Sequence, residues 1–147
     1  MFDTNGQLYF PNVGLNPLIH PFWMPEFIGD TILVNGKVWP FMNVAPQRYR
    51  FFVLNGSNAR TYELFLINKA TGVKGPVMWQ IGTDGGYLDK PVLIDPNAKG
   101  LNKLVIQPGE RADIIIDFSG QTVNTTLLLA NTAKAPYPAG APPMALW

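Results

Sequence analysis

The 147-residue sequence contains no cysteine and one histidine, His20. Redox-metal centres of the soft-ligand kind need cysteine thiolates or several histidines, so this chain by itself cannot build one. The absence of cysteine neither requires nor excludes an oxidising compartment. We interpret His20, which lies in a proline-rich stretch, as a surface or interface residue; the alternative is an accessory ligand or a proton carrier. No metal ligand and no cofactor is therefore assigned to this chain.

The sequence also lacks a charge excess and a long apolar run. Its 11 Lys and Arg and 10 Asp and Glu give a net charge of +1 and are scattered, which argues against nucleic acid as a partner. No apolar run reaches the roughly 20 residues that a bilayer-spanning helix needs, and no membrane partner is predicted. Residues 1–7 lack the layout of a signal peptide. The localisation stays open.

What the sequence does have is the composition of an all-β domain. Hydrophobic residues make up 47%, and 14 Gly and 14 Pro punctuate runs of branched and aromatic residues. Asn35-Gly36 supplies the positive φ angles of a tight turn, so a hairpin is predicted between residues 31–34 and 37–41. Further strands are predicted at 7–10, Arg48–Leu54, 61–66, 77–83, 91–94, 101–106, 110–118 and 125–130.

This spacing of strands and turns predicts a Greek-key β-sandwich or barrel in a single domain of 147 residues. Residues 1–28 are predicted to be an irregular wrap with one edge strand, and residues 29–131 the body of the sandwich. Residues 132–147 are rich in Pro, Ala and Gly and are predicted to be a linker towards a following domain.

Alternation within the strands predicts two packed sheets. In Arg48–Leu54, Tyr49 and Phe51 share the apolar face with Val53, while the arginines lie on the other face. Phe52, Phe65 and Ile115 fall on the mixed, outward faces of their strands. We therefore expect a neighbouring domain to cover part of the outer surface; an unusually apolar solvent face is the alternative.

Five motifs occur in a characteristic order. They are GDTILVNG at 29–36, YRF at 49–51, NGSNARTY at 55–62, IGTDGG at 81–86, and PGERAD at 108–113 running into IIIDF. In this order they resemble the central, second cupredoxin-like domain of the three-domain multicopper oxidases, in the group of the spore-coat laccases and bilirubin oxidases. The resemblance covers roughly residues 5–131.

The resemblance implies a plastocyanin-like fold without copper ligands. In that family the ligands lie in the first and third domains, in His-x-His pairs and a His-Cys-His segment. This chain would then be a non-catalytic spacer whose partners are those two domains. Copper would belong to the parent enzyme, which oxidises phenols, pyrroles or metal ions and reduces dioxygen to water. The excised piece is expected to be inactive and to self-associate weakly.

The resemblance also implies a part in the substrate cleft. In the family, one wall of that cleft comes from the segment before the first hairpin and from the loop after the last strand. The corresponding residues here are Pro25, Glu26 and Phe27, together with Ala133, Lys134 and Ala135.

The polar residues of the motifs are interpreted as structural. We expect Arg60 or Arg111 to pair with a carboxylate among Asp84, Glu110 and Asp113, since arginine can contact a carboxylate in a bidentate manner. The alternative is a cofactor-free hydrolase that uses Asp84 and Asp113 as an acid/base pair. The structural set comprises Asn35, Gly36, Asn55, Arg60, Asp84, Gly85, Gly86, Glu110, Arg111 and Asp113.

A second alternative is a free-standing β-sandwich module that binds carbohydrate or protein. Its stacking platform would come from among the four tryptophans, Trp23, Trp39, Trp79 and Trp147. Such a module should expose coplanar aromatic rings, whereas a domain of a larger enzyme should bury its tryptophans or place them on broad flat faces.

Overall fold

The structure, a computed structural model, describes residues 28–29 and 31–143. The predicted edge strand at 7–10 lies outside the described residues, as do His20, Trp23, Trp147 and the segment Pro25-Glu26-Phe27. The described part contains no helix that is long and apolar enough to cross a membrane.

The described residues form nine strands and no helix, and every pairing is antiparallel. The predicted all-β class is therefore confirmed. In chain order the strands are β1 (Leu33–Val34), β2 (Lys37–Val38), β3 (Arg48–Leu54), β4 (Tyr62–Asn68), β5 (Met78–Gly82), β6 (Tyr87–Ile94), β7 (Leu104–Ile106), β8 (Arg111–Asp117) and β9 (Leu127–Asn131).

Two sheets make up the sandwich. One has four strands in the order β3-β8-β5-β6, and the other has three in the order β7-β4-β9; β1 and β2 form a separate hairpin. The chain passes from one sheet to the other after β3, β4, β6, β7 and β8, so most sequential strands are not paired with each other. This connectivity confirms the predicted Greek-key sandwich.

A single core lies between the two sheets. Met78, Ile94 and Ile106 are the largest fully buried side chains, and they come from both sheets. Tyr49 and Phe51 on β3 pack against the ring of Phe118, with centroids 5.8 and 6.5 Å from it. Each large side chain removed from water contributes roughly 1.5–3 kcal/mol. The predicted alternation of β3 is confirmed, because its inward residues are half-buried and its arginines exposed.

The Asn35-Gly36 turn forms as predicted, with φ angles of 50° and 77°. The hairpin is shorter than expected, since its ladder has only two residue pairs. Trp39 has a φ of 46°, outside strand geometry, and Pro40 has no backbone N–H to donate. These two residues end the second strand at Val38.

Strand β6 is the largest departure from the sequence prediction, since it begins at Tyr87 rather than at residue 91. β6 lies at the edge of its sheet, which is where a strand can accommodate a proline such as Pro91. A register shift between Gln80 and Gly82 leaves residues 88–91 of β6 outside the paired positions. The other predicted boundaries differ from the observed ones by at most three residues.

The three outward apolar residues behave differently from one another. Phe52 is 77% exposed, and Ile115 is half-buried. Phe65 is only 5% exposed within this domain, so the expectation that a neighbour covers it is wrong. The segment between β4 and β5 folds back over it, with the Lys74 ammonium 5.6 Å from the ring centroid and Ile67 bridged to Lys74.

After β9 the described chain forms a small closed loop. Ala135 and Ala141 exchange two backbone hydrogen bonds of 2.8 and 3.0 Å. Gly140 lies inside this loop, where an added Cβ would overlap the carbonyl carbon of Ala135. Only glycine can occupy that position without opening the loop.

Candidate functional site

The four-stranded sheet turns one face away from the core, here called the outer sheet face. Paired residues of antiparallel strands point to the same side, so the register defines rows across this face. One row runs Arg50, Ile115, Trp79 and Leu93. The next row runs Phe52, Asp113, Gly82 and Tyr87.

Large apolar side chains stand in solvent on the outer sheet face. Phe52 is 77% exposed, Tyr87 73% and Leu54 62%, while Trp79 and Leu93 are less exposed. An open depression of about 310 Å³ lies among Phe52, Tyr87, Arg50 and Asp113. Monomeric proteins rarely leave contiguous apolar surface of this kind exposed to solvent, and such surface more often marks an interaction site.

An ion pair lies at the centre of the outer sheet face. The Arg50 Nε donates to Asp113 Oδ1 at 2.9 Å, and Arg50 Nη2 donates to the second carboxylate oxygen and to the Tyr87 hydroxyl. The guanidinium carbon lies 4.7 Å from the Phe52 ring centroid and 5.5 Å from that of Tyr87. Asp113 is buried, and the Arg50 hydrogen bonds lower its pKa against the opposing effect of desolvation. The same contacts raise the pKa of Arg50.

A second arginine–aspartate pair ties the β5–β6 turn to the start of β8. Asp84 Oδ1 accepts a 2.7 Å hydrogen bond from the Arg111 backbone N–H and lies 3.3 Å from its Nε. The Arg111 guanidinium also donates to the Asp84 carbonyl. The predicted pairing of Arg111 with a motif carboxylate is therefore confirmed. Arg60 instead donates to the carbonyl of Gly29.

These contacts favour the structural interpretation of Asp84 and Asp113 over the hydrolytic one. A carboxyl group that acts as a general acid needs a raised pKa, whereas that of Asp113 is lowered. Each carboxylate is engaged by its own arginine.

Asn55 makes hydrogen bonds to backbone groups of two motif turns. It is 3% exposed, and its Nδ2 donates to the carbonyls of Arg60 and Ile106 at 2.7 and 3.0 Å, while Oδ1 accepts from Ser57 N–H at 3.0 Å. Its backbone carbonyl accepts from Gly109 N–H, and the Glu110 carboxylate accepts from Gln107 N–H. Asn55 and Glu110 thus hold loops in place.

The predicted cleft-wall residues can be located only in part. Ala133 is 1% exposed, Ala135 is half-buried, and the Lys134 side chain is exposed. A three-residue contact fixes the chain just before them, because the Glu63 carboxylate accepts from Lys103 Nζ at 2.9 Å and from Thr132 Oγ1 at 2.8 Å. The Lys103 contact lowers the pKa of Glu63.

The two described tryptophans lie in different parts of the fold. Trp79 lies on β5 between Ile115 and Leu93 and contributes to a flat apolar row. Trp39 follows β2 of the separate hairpin. Trp79 therefore lies on a broad flat face, as expected for a domain of a larger enzyme. Among residues 28–29 and 31–143, no group of three or more His, Cys, Asp or Glu is arranged to hold a metal ion.

Sequence reasoning missed the Arg50–Asp113–Tyr87 contact and the Glu63–Lys103–Thr132 contact. Both join residues from strands or loops that are distant along the chain. The outward position of Arg50 on β3 and of Asp113 on β8 was the available signal. A contact between these two side chains can be predicted from that signal only when the β3–β8 register is known.

Comparison with known proteins gives consistent matches, although no family model matches. The chain is 40% identical over 141 residues to the multicopper oxidase LPR1 of Arabidopsis thaliana and 45% identical over 134 residues to a laccase of Bacillus subtilis. These matches cover 96% and 89% of this chain but 22% and 23% of the relatives. The chain thus spans about a fifth of the length of the curated relatives it matches.

A solved structure agrees with the sequence matches. The crystal structure of a variant of the multicopper oxidase McoA from Aquifex aeolicus superposes with a TM-score of 0.70 at 39% identity, over 89% of this chain and 24% of that one. The antiparallel Greek-key sandwich is therefore of the cupredoxin-like class. Within that class, this chain is a domain of the multicopper oxidase family, and its share of the relatives' length is what a single middle domain predicts.

Proposed function

We propose that this chain is the non-catalytic middle domain of a laccase-like multicopper oxidase. It would hold the first and third cupredoxin-like domains in place and form part of the substrate-cleft wall. One combination of observations carries the proposal. The chain is 40–45% identical to multicopper oxidases and laccases over nearly its whole length, yet its sequence has no cysteine and one histidine.

The chemistry of the parent would be divided between domains. Copper, held by histidines and a cysteine of the other two domains, would supply one-electron oxidation of phenols, pyrroles or metal ions and the reduction of dioxygen to water. The residues of this chain would fix the distance between those domains. The grouping with spore-coat laccases and bilirubin oxidases is part of this proposal.

The cleft wall would be formed by Pro25, Glu26 and Phe27 together with Ala133, Lys134 and Ala135. Of the three described residues, Lys134 has the exposed side chain, and the Glu63–Thr132 contact fixes the backbone just before it. Lys134→Glu in an oxidase that carries this domain should change KM for a phenol and leave kcat unchanged.

Domain replacement tests the scaffold role. The matching segment of the Bacillus subtilis laccase is replaced by this chain, and copper content, the blue absorption band and phenol oxidation are measured. We expect the hybrid laccase to bind copper and oxidise phenols. The isolated chain, incubated with copper, should show neither stoichiometric copper nor turnover. Tight copper binding or oxidase turnover by the isolated chain would contradict the proposal, as would a folded hybrid without copper.

A free-standing binding module is the second candidate, and the exposure of Phe52 and Tyr87 is the observation that favours it. Both rings lie against the Arg50 guanidinium, which occupies surface that a sugar ring would need for stacking. Titration of the chain with soluble oligosaccharides, followed by tryptophan fluorescence, should therefore show no saturable change.

A further inference from the structure

The two outer faces of the sandwich differ in how well they are covered. On the three-stranded sheet, Phe65 and its cross-strand partner Ala130 are 5% and 0% exposed, because the chain's own connections fold over them. On the outer sheet face, Phe52 and Tyr87 remain 77% and 73% exposed. The domain thus covers the middle of one face by itself, although Val105 on that face is 43% exposed, and it leaves the other face more open.

The arginines of the outer sheet face are already paired within the domain. Arg48 contacts Asp117 at 3.0 Å, Arg50 contacts Asp113, and Arg111 contacts Asp84. Because each arginine has its own aspartate, an approaching surface need not supply a countercharge. A partner that fits is itself apolar and uncharged at the point of contact.

The centre of the face is arranged for burial. The Tyr87 hydroxyl accepts a hydrogen bond from Arg50. A partner can therefore cover the Tyr87 ring without leaving the hydroxyl oxygen buried and unbonded. Arg50 Nε and Nη2 are engaged, whereas Nη1 makes no hydrogen bond to any residue of the described part. A backbone carbonyl of the partner would complete its set of acceptors. Tyrosine and arginine at the middle of a patch are the residue types that dominate binding energy.

The area of the face decides between possible occupants. Aromatic side chains each offer roughly 150–250 Å² when fully covered, so Phe52, Tyr87 and Trp79, which are 77%, 73% and 40% exposed, present on the order of 400 Å², and Leu54 and Leu93 add to this. A stable complex between separate molecules needs roughly 800 Å² per partner. Interfaces between domains of one chain bury roughly 600–1,500 Å² in total, or about half of that on each side. The face therefore suits a tethered domain, whose effective concentration is high, better than a second copy.

We propose that the outer sheet face is the docking surface for a neighbouring cupredoxin-like domain of the same polypeptide, which covers Phe52 and Tyr87 and closes over the Arg50–Asp113 pair. This inference rests on the proposed function as a middle domain, and it names the surface through which the spacing is achieved. The match covers about a fifth of each relative, so the remaining length of the relatives is enough to contain such a neighbouring domain.

Hydroxyl-radical footprinting tests the proposal on the isolated chain and on the hybrid laccase. Phe52 and Tyr87 should react severalfold more slowly in the hybrid than in the isolated chain. Val73 and Val123, which are 64% and 72% exposed outside the outer sheet face, serve as controls and should react equally in both. Equal reactivity of Phe52 and Tyr87 in an active hybrid would overturn the docking surface while leaving the scaffold role intact.

Matched variants add a second measurement. Phe52→Ser with Tyr87→Ser should lower the Tm of the hybrid by several degrees more than that of the isolated chain, which loses only the contacts of the two side chains with Arg50. Val73→Ser with Val123→Ser should affect both proteins alike. An isolated chain that sediments as a stable dimer, with Phe52 protected, would identify a second copy as the occupant and would overturn the tethered-domain proposal. A hybrid that fails with the unmodified chain counts against the proposed function itself.

Discussion

At the scale of single residues, polar side chains of the sequence motifs hold loops and strands of this domain together. Asn55 satisfies three backbone groups in two loops, and Asp113 holds the Arg50 guanidinium 4.7 and 5.5 Å from two aromatic ring centroids. Neither residue presents a free reactive atom to solvent. Their removal should therefore be detected as lost stability.

Asn55→Ala should destabilise the domain by about 2–4 kcal/mol, because it leaves two carbonyls and one N–H without their buried partner. Urea unfolding of the isolated chain measures the change. Asn58→Ala, at an exposed position in the same loop, is the matched control and should stay within about 0.5 kcal/mol of the parent chain. A small effect at both positions would show that the hydrogen bonds of Asn55 contribute little to the stability of the domain.

Asp113 makes the stability of the domain acid-sensitive. The Arg50 hydrogen bonds lower the pKa of Asp113 in the folded state, and Lys103 lowers that of Glu63. A carboxyl group with a depressed folded pKa contributes stability above its unfolded pKa and loses it as pH falls through the folded value. The urea midpoint should thus be flat above about pH 5 and fall below about pH 4.

Asp113→Asn should lower the urea midpoint at pH 7 and weaken its dependence on pH below pH 4. Asp89→Asn, at an exposed position of β6, is the control and should keep the acid dependence of the parent chain. Unchanged acid dependence in Asp113→Asn would exclude the Arg50 pair as its source.

At the scale of elements, the β5–β6 hairpin brings the edge of the four-stranded sheet close to Asp113. Gly82 lies opposite Asp113, where an added Cβ would come within 2.9 Å of the Gly86 carbonyl oxygen and 3.2 Å of the Asp113 Cβ. Thr83 N–H donates to that same carbonyl, so the turn cannot move away without breaking a hydrogen bond.

Gly82→Ala should destabilise the domain by about 1–3 kcal/mol through this overpacking. Gly85→Ala, in the same turn but with open space around the added Cβ, should be tolerated. Hydrogen exchange of the Thr83 amide reports the local effect, and urea unfolding the global one. Equal tolerance of both substitutions would mean that the turn can shift freely.

The elements also show what can be predicted from sequence. The Asn35-Gly36 turn and the alternation of Arg48–Leu54 could be predicted because both depend on neighbouring residues. The early start of β6 could not be predicted. Its polar residues fit into a strand because β6 lies at a sheet edge and because its pairing with β5 contains a register shift. The burial of Phe65 and the Arg50–Asp113 contact depend on which distant strands pair. That choice is made by the packing of the whole core.

At the scale of the molecule, the two sheets share one core and should unfold together. Met78 is 1% exposed and packs in the cluster that contains residues of both sheets. Met78→Ala should cost about 2–5 kcal/mol. Unfolding followed by tryptophan fluorescence and by far-UV circular dichroism should give one coincident transition, for this variant and for the parent chain.

Met42→Ala is the matched control, because Met42 is 60% exposed and its truncation removes little buried surface. Its unfolding midpoint should lie close to that of the parent chain. Two separated transitions in the parent chain would show that the sheets are independent, contrary to the single core.

The internal pairing of Arg48, Arg50 and Arg111 with their aspartates has a consequence for how the outer sheet face responds to its medium. A surface whose ions are neutralised in place projects almost no field, so sodium chloride has little to screen. Attachment at this face would draw its strength from the release of water. Sulfate should tighten it, and chilling should loosen it.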